Sequence, residues 1–280
     1  MSVRVRLRFA KLGKVRFTSH RDVVRLWERA LRRAVLPVAY SGGFRPRPKL
    51  SFGLALSTGH ESVAEYLDVE LAGSVAVEVD DLPARLSPEL PVGIDVLAAA
   101  PVEPRHPSLQ EQVQSCTWRI EVIDLDADRA ERLVQDTLAA EELVLTRCRK
   151  GRDVTDDLRP SVRALAVVGP SRAGTELEAE LAVHPRSVRP VELLAALAPA
   201  LTEGRVVRTA QWIWNDGARD EPLVAEGLDG ALCVPLADAS ATRRDHPDVR
   251  ARTGGDEGHT ASREPLCTAT STRGSPGSPP

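Results

Sequence analysis

Aromatic side chains, clustered cysteines and long apolar runs are all scarce in this 280-residue chain, and each shortage excludes a class of protein. Phe, Trp and Tyr together make up 4% of the residues, so Leu, Val and Ala must build any core. The four cysteines, at positions 116, 148, 233 and 267, form no C-x-x-C pair and have no His at zinc-ligand spacing. We therefore expect no bound metal, no iron–sulfur cluster and no cofactor.

Targeting signals and common enzyme motifs are also missing. Residues 3–8 alternate apolar residues with arginine, which is unlike the apolar segment of a secretory signal. No apolar run approaches the ~20 residues that a membrane-spanning helix needs. The sequence has no Walker loop, no G-x-G-x-x-G and no G-x-S-x-G elbow. We expect a cytoplasmic protein that has no membrane partner.

What the sequence has in excess is positive charge near its start. The first fifty residues contain fourteen Lys or Arg and two acidic residues, a formal charge of about +12, whereas the whole chain has −3. A charge division this sharp indicates an anionic partner for the N-terminal part. It does not identify a reaction.

Hydrophobic periodicity predicts two halves with the same order of elements. In the first half, extended segments are predicted at 3–9, 14–18, 36–40, 63–71 and 92–100, with helices at 20–34 and 77–86. Ser19 is the predicted N-cap of the first helix. In the second half, strands are predicted at 118–123, 143–147, 162–168, 175–183 and 206–214, with helices at 126–142 and 190–201.

This order predicts an α+β fold of two tandem ferredoxin-like βαββαβ units with antiparallel sheets. The units would span residues 1–105 and 106–215. A linker and a C-terminal tail would occupy 216–280, and we expect residues 239–280, where large apolar side chains become rare, to be disordered. Each half has an unusual loop after its first helix and the following strand, at 41–53 and at 147–160. The groove between these two loops is the predicted binding site.

The first strand carries a basic face. Arg4, Arg6 and Arg8 alternate with apolar residues, and Lys14 and Arg16 would join them in a hairpin. Phe9 and Phe17 would then lie on the apolar side, so we expect contacts with phosphates rather than a platform for stacking bases. The alternative is that these charges are paired within the protein. The strand predicted at 63–71 would be the third strand of a ferredoxin-like sheet, which lies beside the first, and it offers Asp68 and Glu70 on one face.

The loop 41–53 has the composition of a phosphate clamp. Two consecutive glycines free the backbone to turn its N–H groups toward an anion, while two prolines stiffen a ridge of cations. Phe44, Leu50 and Phe52 would anchor the loop. The alternative is a solvated basic loop without a ligand. With the second loop, the predicted anion- or nucleic-acid-binding residues are Arg4, Arg6, Arg8, Lys14, Arg16, Ser41, Gly42, Gly43, Arg45, Arg47, Lys49, Arg149, Lys150 and Arg159.

Two residues are candidates for catalysis. A histidine beside a lysine could support acid–base cleavage of RNA through its own 2′-hydroxyl without a metal, and His20 and Lys49 are the residues in question. The alternative for His20 is a capping or core role, because it lies in the first turn of the predicted helix.

Four runs of residues resemble a known family. They are Arg6-x-Arg-Phe-Ala-Lys-x-Gly-x-x-Arg-Phe-x-Ser-His20, Leu26-x-Glu-Arg-Ala-Leu-Arg-Arg-Ala34, Ser41-x-Gly-Phe-x-Pro-x-Pro-Lys-x-Ser-Phe-Gly53 and Glu61-Ser-x-Ala-Glu-Tyr-Leu-Asp68. The resemblance is to the radical-SAM-linked uncharacterised protein family, a domain of unknown function. It covers residues 3–105 well and continues more loosely, through Arg208-Thr-Ala210, to about residue 215.

The resemblance implies a partner rather than a reaction. Members occur fused behind a cobalamin-binding radical-SAM enzyme or as a separate neighbour of one, which implies work in RNA modification or translation. This chain has Gly42 where the family usually has Gln, and Ser57-Thr-Gly-His60 where it favours Pro-Leu-Gly-Val, so a role for a side chain at position 42 is in doubt. The chain lacks the C-x-x-x-C-x-x-C motif of the radical enzyme itself.

Together these features predict a non-enzymatic RNA-binding or substrate-presenting module. One alternative is a metal-independent endoribonuclease, suggested by analogy with tandem ferredoxin-like RNA-processing enzymes. The other is a protein adaptor for a radical-SAM enzyme that makes no direct contact with RNA.

Overall fold

A computed structural model describes residues 2–73, 77–103, 106–149, 151–215 and 217–225, and these residues form a mixed α/β structure built on a mainly antiparallel sheet. The strands are β1 (Ser2–Lys11), β2 (Leu50–Phe52), β3 (Glu61–Ala72), β4 (Ile94–Val102), β5 (Val113–Ile123), β6 (Val144–Arg149), β7 (Arg152–Asp157), β8 (Val162–Pro170), β9 (Gly174–Ala182), β10 (Thr202–Asn215) and β11 (Ala218–Asp220). The α-helices within the described ranges are α1 (His20–Arg33), α2 (Leu82–Leu86), α3 (Leu109–Gln112), α4 (Ala127–Ala139) and α5 (Pro190–Leu197).

One sheet includes strands from both predicted halves. Its order is β4-β1-β3-β10-β5-β9-β8, with β2 also paired to β3 and β11 to β10, while β6 and β7 form a separate ribbon. The two halves of the sheet meet where β10 runs parallel to β3, and the paired residues are Val207 with Glu61 and Arg208 with Ser62. This short seam between the halves places buried side chains of β3 and β10 next to each other.

The alternation in β1 and the helical stripe of α1 build the first core. Leu7 and Phe9 lie on the buried face of β1, and Trp27 of α1 packs edge-on against Phe9 with ring centroids 5.0 Å apart. The hydroxyl of Ser19 accepts the backbone N–H of Asp22, which caps the helix as predicted. The arginines of α1 are exposed on the opposite side, in agreement with the sequence pattern. These are Arg21, Arg25, Arg29 and Arg32.

Several local predictions were wrong. Residues 13–17 form a 3₁₀ helix rather than a strand, because Gly13 adopts a φ of +69° and its N–H donates to the Glu61 carboxylate. Phe17 is consequently 63% exposed instead of lying on an apolar sheet face. The segment 36–40 makes only isolated bridges, at Val38 and Tyr40.

Two element boundaries also differ from the prediction. The helix expected at 77–86 is confined to α2, and the region 147–160 is mostly the β6–β7 hairpin rather than an irregular loop. The predicted disordered segment at 239–280 lies outside the described residues. Because β1 pairs with β3 in antiparallel register, Arg6 stands directly opposite Asp68. This is the internal pairing that was the alternative to an anion-binding face.

Candidate nucleic-acid interface and central groove

The arginines of β1 are bound by the protein's own acceptors. Arg6 is 2% exposed and donates from Nε and Nη2 to the two oxygens of Asp68, at 2.8 and 3.0 Å. Arg4 lies 3.0 Å from the same carboxylate. Arg8 donates to the Glu221 carboxylate at 2.7 Å and to the Val63 carbonyl at 3.1 Å. These guanidinium groups therefore present little free charge to solvent.

The face that carries these arginines is covered by other parts of the chain. Tyr66 of β3 packs against Leu109 of α3 in a small apolar cluster, and Leu223 packs against the same cluster. The Leu223 carbonyl also accepts from Arg8 at 3.2 Å. Arg6 and Arg8 are almost fully buried under this covering segment, whereas Arg4 remains partly exposed.

Lys14 and Arg16 lie in the 3₁₀ helix that follows β1. Lys14 is exposed, whereas the Arg16 guanidinium lies 4.7 Å from the centroid of the Phe17 ring and 3.3 Å from the Glu61 carboxylate. Of these two predicted ligands, Lys14 is therefore the one whose charge faces solvent.

The loop from Ser41 to Lys49 is closed at its base. Ser41 donates its N–H to the Arg47 carbonyl at 2.8 Å, and its hydroxyl accepts the Arg47 N–H at 3.0 Å. Gly43 adopts a φ of +109°, a conformation that favours glycine, within the turn that this clasp closes. The clasp shows that Ser41 holds the loop in shape.

The apex of this loop presents an aromatic ring with two cations. Phe44 is fully exposed, so the prediction that it anchors the loop was wrong, because the clasp places it at the tip. Leu50 and Phe52 do pack against the core. Arg45 and Arg47 are exposed and have no carboxylate within 4 Å among the described residues, whereas Lys49 pairs with Glu70 at 2.7 Å.

In the described part of the second predicted loop, at 147–160, Arg159 and Asp157 have structural roles. Arg159 donates to the Leu138 and Ala140 carbonyls, at 3.1 and 3.2 Å, and thereby satisfies the C-terminal end of α4. The Asp157 carboxylate accepts the N–H groups of Leu143 and Arg159, and these hydrogen bonds hold its pKa below the ordinary value. Arg149 ends β6 next to the turn, and Lys150 lies outside the described residues.

The two candidate catalytic residues have different neighbours. The His20 ring meets the edge of Phe52 with centroids 5.3 Å apart, at the first residue of α1. Lys49 is held by Glu70. The structure gives no contact between His20 and Lys49.

Sequence reasoning missed a buried ionic cluster at the seam between the halves. Arg208 of β10 is 2% exposed and donates from Nε to the Glu65 carboxylate of β3 at 3.0 Å and from Nη2 to the Leu54 carbonyl at 2.9 Å. Its guanidinium lies 5.3 Å from the centroid of the Trp118 ring. Lys11, which is 3% exposed, donates to the Thr18 carbonyl at 3.0 Å.

Residues of this cluster line two recesses on the helix side of the sheet, Lys11 and Glu65 in one and Trp118 and Arg208 in the other. Burial lowers the pKa of the Lys11 ammonium, an effect that the charge of Glu65 opposes and that of Arg208 reinforces. Burial also raises the pKa of the Cys116 thiol to about 11. Lys11 and Glu65 stand inside the runs that carry the family resemblance, so that resemblance was the signal that could have located them.

None of the described helices combines the length and apolarity required to cross a bilayer. The described ranges contain no group of three His, Cys, Asp or Glu residues placed to hold a metal ion.

Comparison with known proteins identifies a family. Residues 4–193 match the model of an uncharacterised family of proteins conserved in bacteria (DUF2344), and the chain belongs to this family. A search of curated proteins gave no match.

Proposed function

We propose that this member of an uncharacterised bacterial family is a non-enzymatic module that binds RNA or presents it to a partner enzyme. The observation that carries the proposal is the loop apex, where the fully exposed Phe44 is followed by the exposed Arg45 and Arg47. An aromatic ring that faces solvent beside guanidinium groups suits an unpaired base and the phosphates that flank it.

The exposed cations support an electrostatic contribution from the same part of the chain. The outer face of α1 carries Arg21, Arg29 and Arg32, which have no carboxylate within 4 Å in the described ranges. Arg6 and Arg8 already have acceptors within the protein, so we assign RNA contact to α1 and the loop rather than to β1. Contacts between arginines and phosphates discriminate little between RNA sequences, whereas stacking of bases on Phe44 favours single-stranded RNA.

The experiment measures binding of a fluorescent single-stranded RNA to the full chain at several salt concentrations. Each phosphate contact adds about 0.7 to the slope of log affinity against log salt for single strands, so Arg45→Ala/Arg47→Ala should lower that slope by about 1.4. Phe44→Ala should weaken binding about tenfold with little change in slope, because stacking carries no counterions.

Matched controls separate this surface from general charge. Arg132→Ala/Arg172→Ala removes two exposed arginines from α4 and the β8–β9 turn, and Val92→Ala trims another exposed apolar side chain. Both should leave RNA affinity within about twofold. Affinity that does not depend on salt, or equal losses in the loop and control variants, would refute the proposal.

The resemblance to radical-SAM-linked proteins adds a second proposal, which is that the partner is a cobalamin-binding radical-SAM protein. The exposed Phe44 ring would also suit an apolar recess on another protein. Co-purification of the enzyme that resists nuclease treatment and is lost in Phe44→Ala would favour a direct protein adaptor. Co-purification that nuclease abolishes would favour RNA as the bridge.

We further propose that each half is a ferredoxin-like unit. Counting the strands of each half in chain order, with the β6–β7 ribbon set aside, both halves follow the order 4-1-3-2, as β4-β1-β3-β2 and as β10-β5-β9-β8. This repeated order supports an arrangement in which β4 and β10 are equivalent closing strands.

A further inference from the structure

Two adjoining recesses on the helix side of the sheet share His20, Leu54 and Leu56 in their walls. The first contains Lys11 and Glu65, and the second contains Trp118, Arg189 and Arg208 together with residues from β5, β9 and the start of α5. We call this combined space the central groove. None of its lining residues belongs to the loop apex to which RNA binding is assigned above.

The charges in the central groove do not balance. Its lining residues include three basic side chains, Lys11, Arg189 and Arg208, and one carboxylate, Glu65. Lys11 and Arg208 are almost fully buried, and the Glu65 carboxylate accepts from Arg208, whereas Lys11 has no carboxylate within 4 Å among the described residues. A buried charge without a full counter-charge is unfavourable, because the low-dielectric protein interior stabilises a charge much less than water does.

The remaining lining supplies an apolar surface and a free donor. The apolar lining includes Leu54, Leu56, Leu181 and Val188, which can hold a nonpolar body. Trp118 is more than nine-tenths buried and lines the groove, and its indole N–H has no acceptor among the described residues. An unpartnered buried donor beside excess positive charge is suited to an anionic oxygen.

We infer that the central groove is a binding site for a small phosphate monoester with an apolar or aromatic body. The phosphate would take the positive excess of Lys11, Arg189 and Arg208, and the indole N–H of Trp118 would supply a further hydrogen bond. A monoester carries a charge of about −1.5 to −2 at pH 7, which matches an excess of three cations over one carboxylate better than a carboxylate ligand does. This site is independent of the RNA surface.

The test is an NMR titration of the ¹⁵N-labelled full chain with phenyl phosphate, following the Trp118 indole N–H signal, which Trp118→Phe identifies. We expect a saturable shift. Benzoate and inorganic phosphate, which supply a smaller charge or no apolar body, should bind at least about tenfold more weakly, and phenol should produce no saturable shift.

Variants then locate the anion. Arg189→Gln changes an exposed side chain and should raise the Kd for phenyl phosphate about fivefold, whereas Arg172→Gln, an exposed arginine outside the groove, should not change it. Lys11→Met should raise the Kd at least about tenfold in protein whose NMR spectrum shows a retained fold. Because Lys11 is buried and Arg189 is exposed, Arg189→Gln disturbs the fold least and provides the decisive comparison.

Three results would overturn the inference. They are no saturable shift with phenyl phosphate up to about 10 mM, equal binding of phenol and phenyl phosphate, and equal Kd values for Arg189→Gln and Arg172→Gln. Arg45→Ala/Arg47→Ala should leave phenyl phosphate binding unchanged. A failure of RNA binding and a failure of this site therefore give different results.

Discussion

Replacing Asp68 with Asn tests whether the β1 arginines hold the sheet together. Asp68 is buried between Arg6, whose Nε and Nη2 donate to its two oxygens, and Arg4, whose guanidinium lies 3.0 Å away. Asn keeps the size of the side chain but removes its charge, and one of its two terminal atoms becomes a donor that faces a guanidinium. The substitution therefore leaves two guanidinium groups at this site without a carboxylate.

The expected effect on stability is large. Removing one partner of a buried ion pair typically costs about 3–5 kcal/mol, because the remaining charge stays desolvated. Arg4 is partly solvated and can recover some hydration, so we expect about 3 kcal/mol for Asp68→Asn. For a folded region of this size each kcal/mol lowers Tm by roughly 2–4 °C, which gives a decrease of roughly 6–12 °C.

Urea unfolding of the full chain, followed by circular dichroism, measures the free-energy difference. Asp95→Asn on β4 is the matched control, because Asp95 is exposed and has no ion pair in the described residues, and it should change stability by less than about 0.5 kcal/mol. RNA affinity of the folded Asp68→Asn variant should be unchanged. A loss below about 1 kcal/mol, or stronger RNA binding by the freed arginines, would refute the structural assignment.

Two further predictions concern titratable groups. The hydrogen bonds from the N–H groups of Leu143 and Arg159 hold the pKa of Asp157 below its ordinary value, so the carboxylate stabilises the fold above that value and this contribution is lost as pH falls through the lowered pKa. Acid unfolding of Asp157→Asn should consequently depend less steeply on pH between about 5 and 2, and an unchanged profile would contradict the assignment. With iodoacetamide at pH 8, Cys148 should be alkylated in the native protein while Cys116, buried and with a raised pKa of about 11, reacts only in denaturant, as peptide mass spectrometry can measure.

Helices and strands could be predicted where buried residues recur at the regular spacing of a helix or a strand. The stripe on α1, with Trp27 buried and Arg29 exposed, and the alternation of β1 both indicate their elements directly. The segment 13–17 also alternates, yet it forms a 3₁₀ helix, because the conformation of Gly13 and its bond to Glu61 depend on a strand almost fifty residues away. Local patterns could not predict this contact.

The candidate site was predictable in composition but not in exposure. The sequence placed Arg6 and Arg45 in one cationic set, since both lie in a basic segment, although Arg6 is buried against Asp68 and Arg45 is exposed. The seam that joins Glu65 to Arg208 was beyond sequence reasoning, because these residues are 143 positions apart and meet only when β10 pairs with β3. Charge density located the basic segment, and only tertiary pairing shows which of its charges remain free.

The central groove raises the question of why a core should retain two cations for one carboxylate. If Lys11 served only to satisfy the Arg16 and Thr18 carbonyls, a neutral donor could do so without the desolvation of an ammonium group. The buried ion pair of Arg208 and Glu65 could likewise be replaced by two well-packed apolar side chains at little loss of stability, as is often true of buried ion pairs in other proteins. The structure instead holds both side chains beside an apolar groove, where the buried indole N–H of Trp118 has no acceptor within the described part of the chain. An anionic ligand accounts for all three features at once, whereas a purely structural role accounts for the hydrogen bonds and leaves the excess charge without a reason.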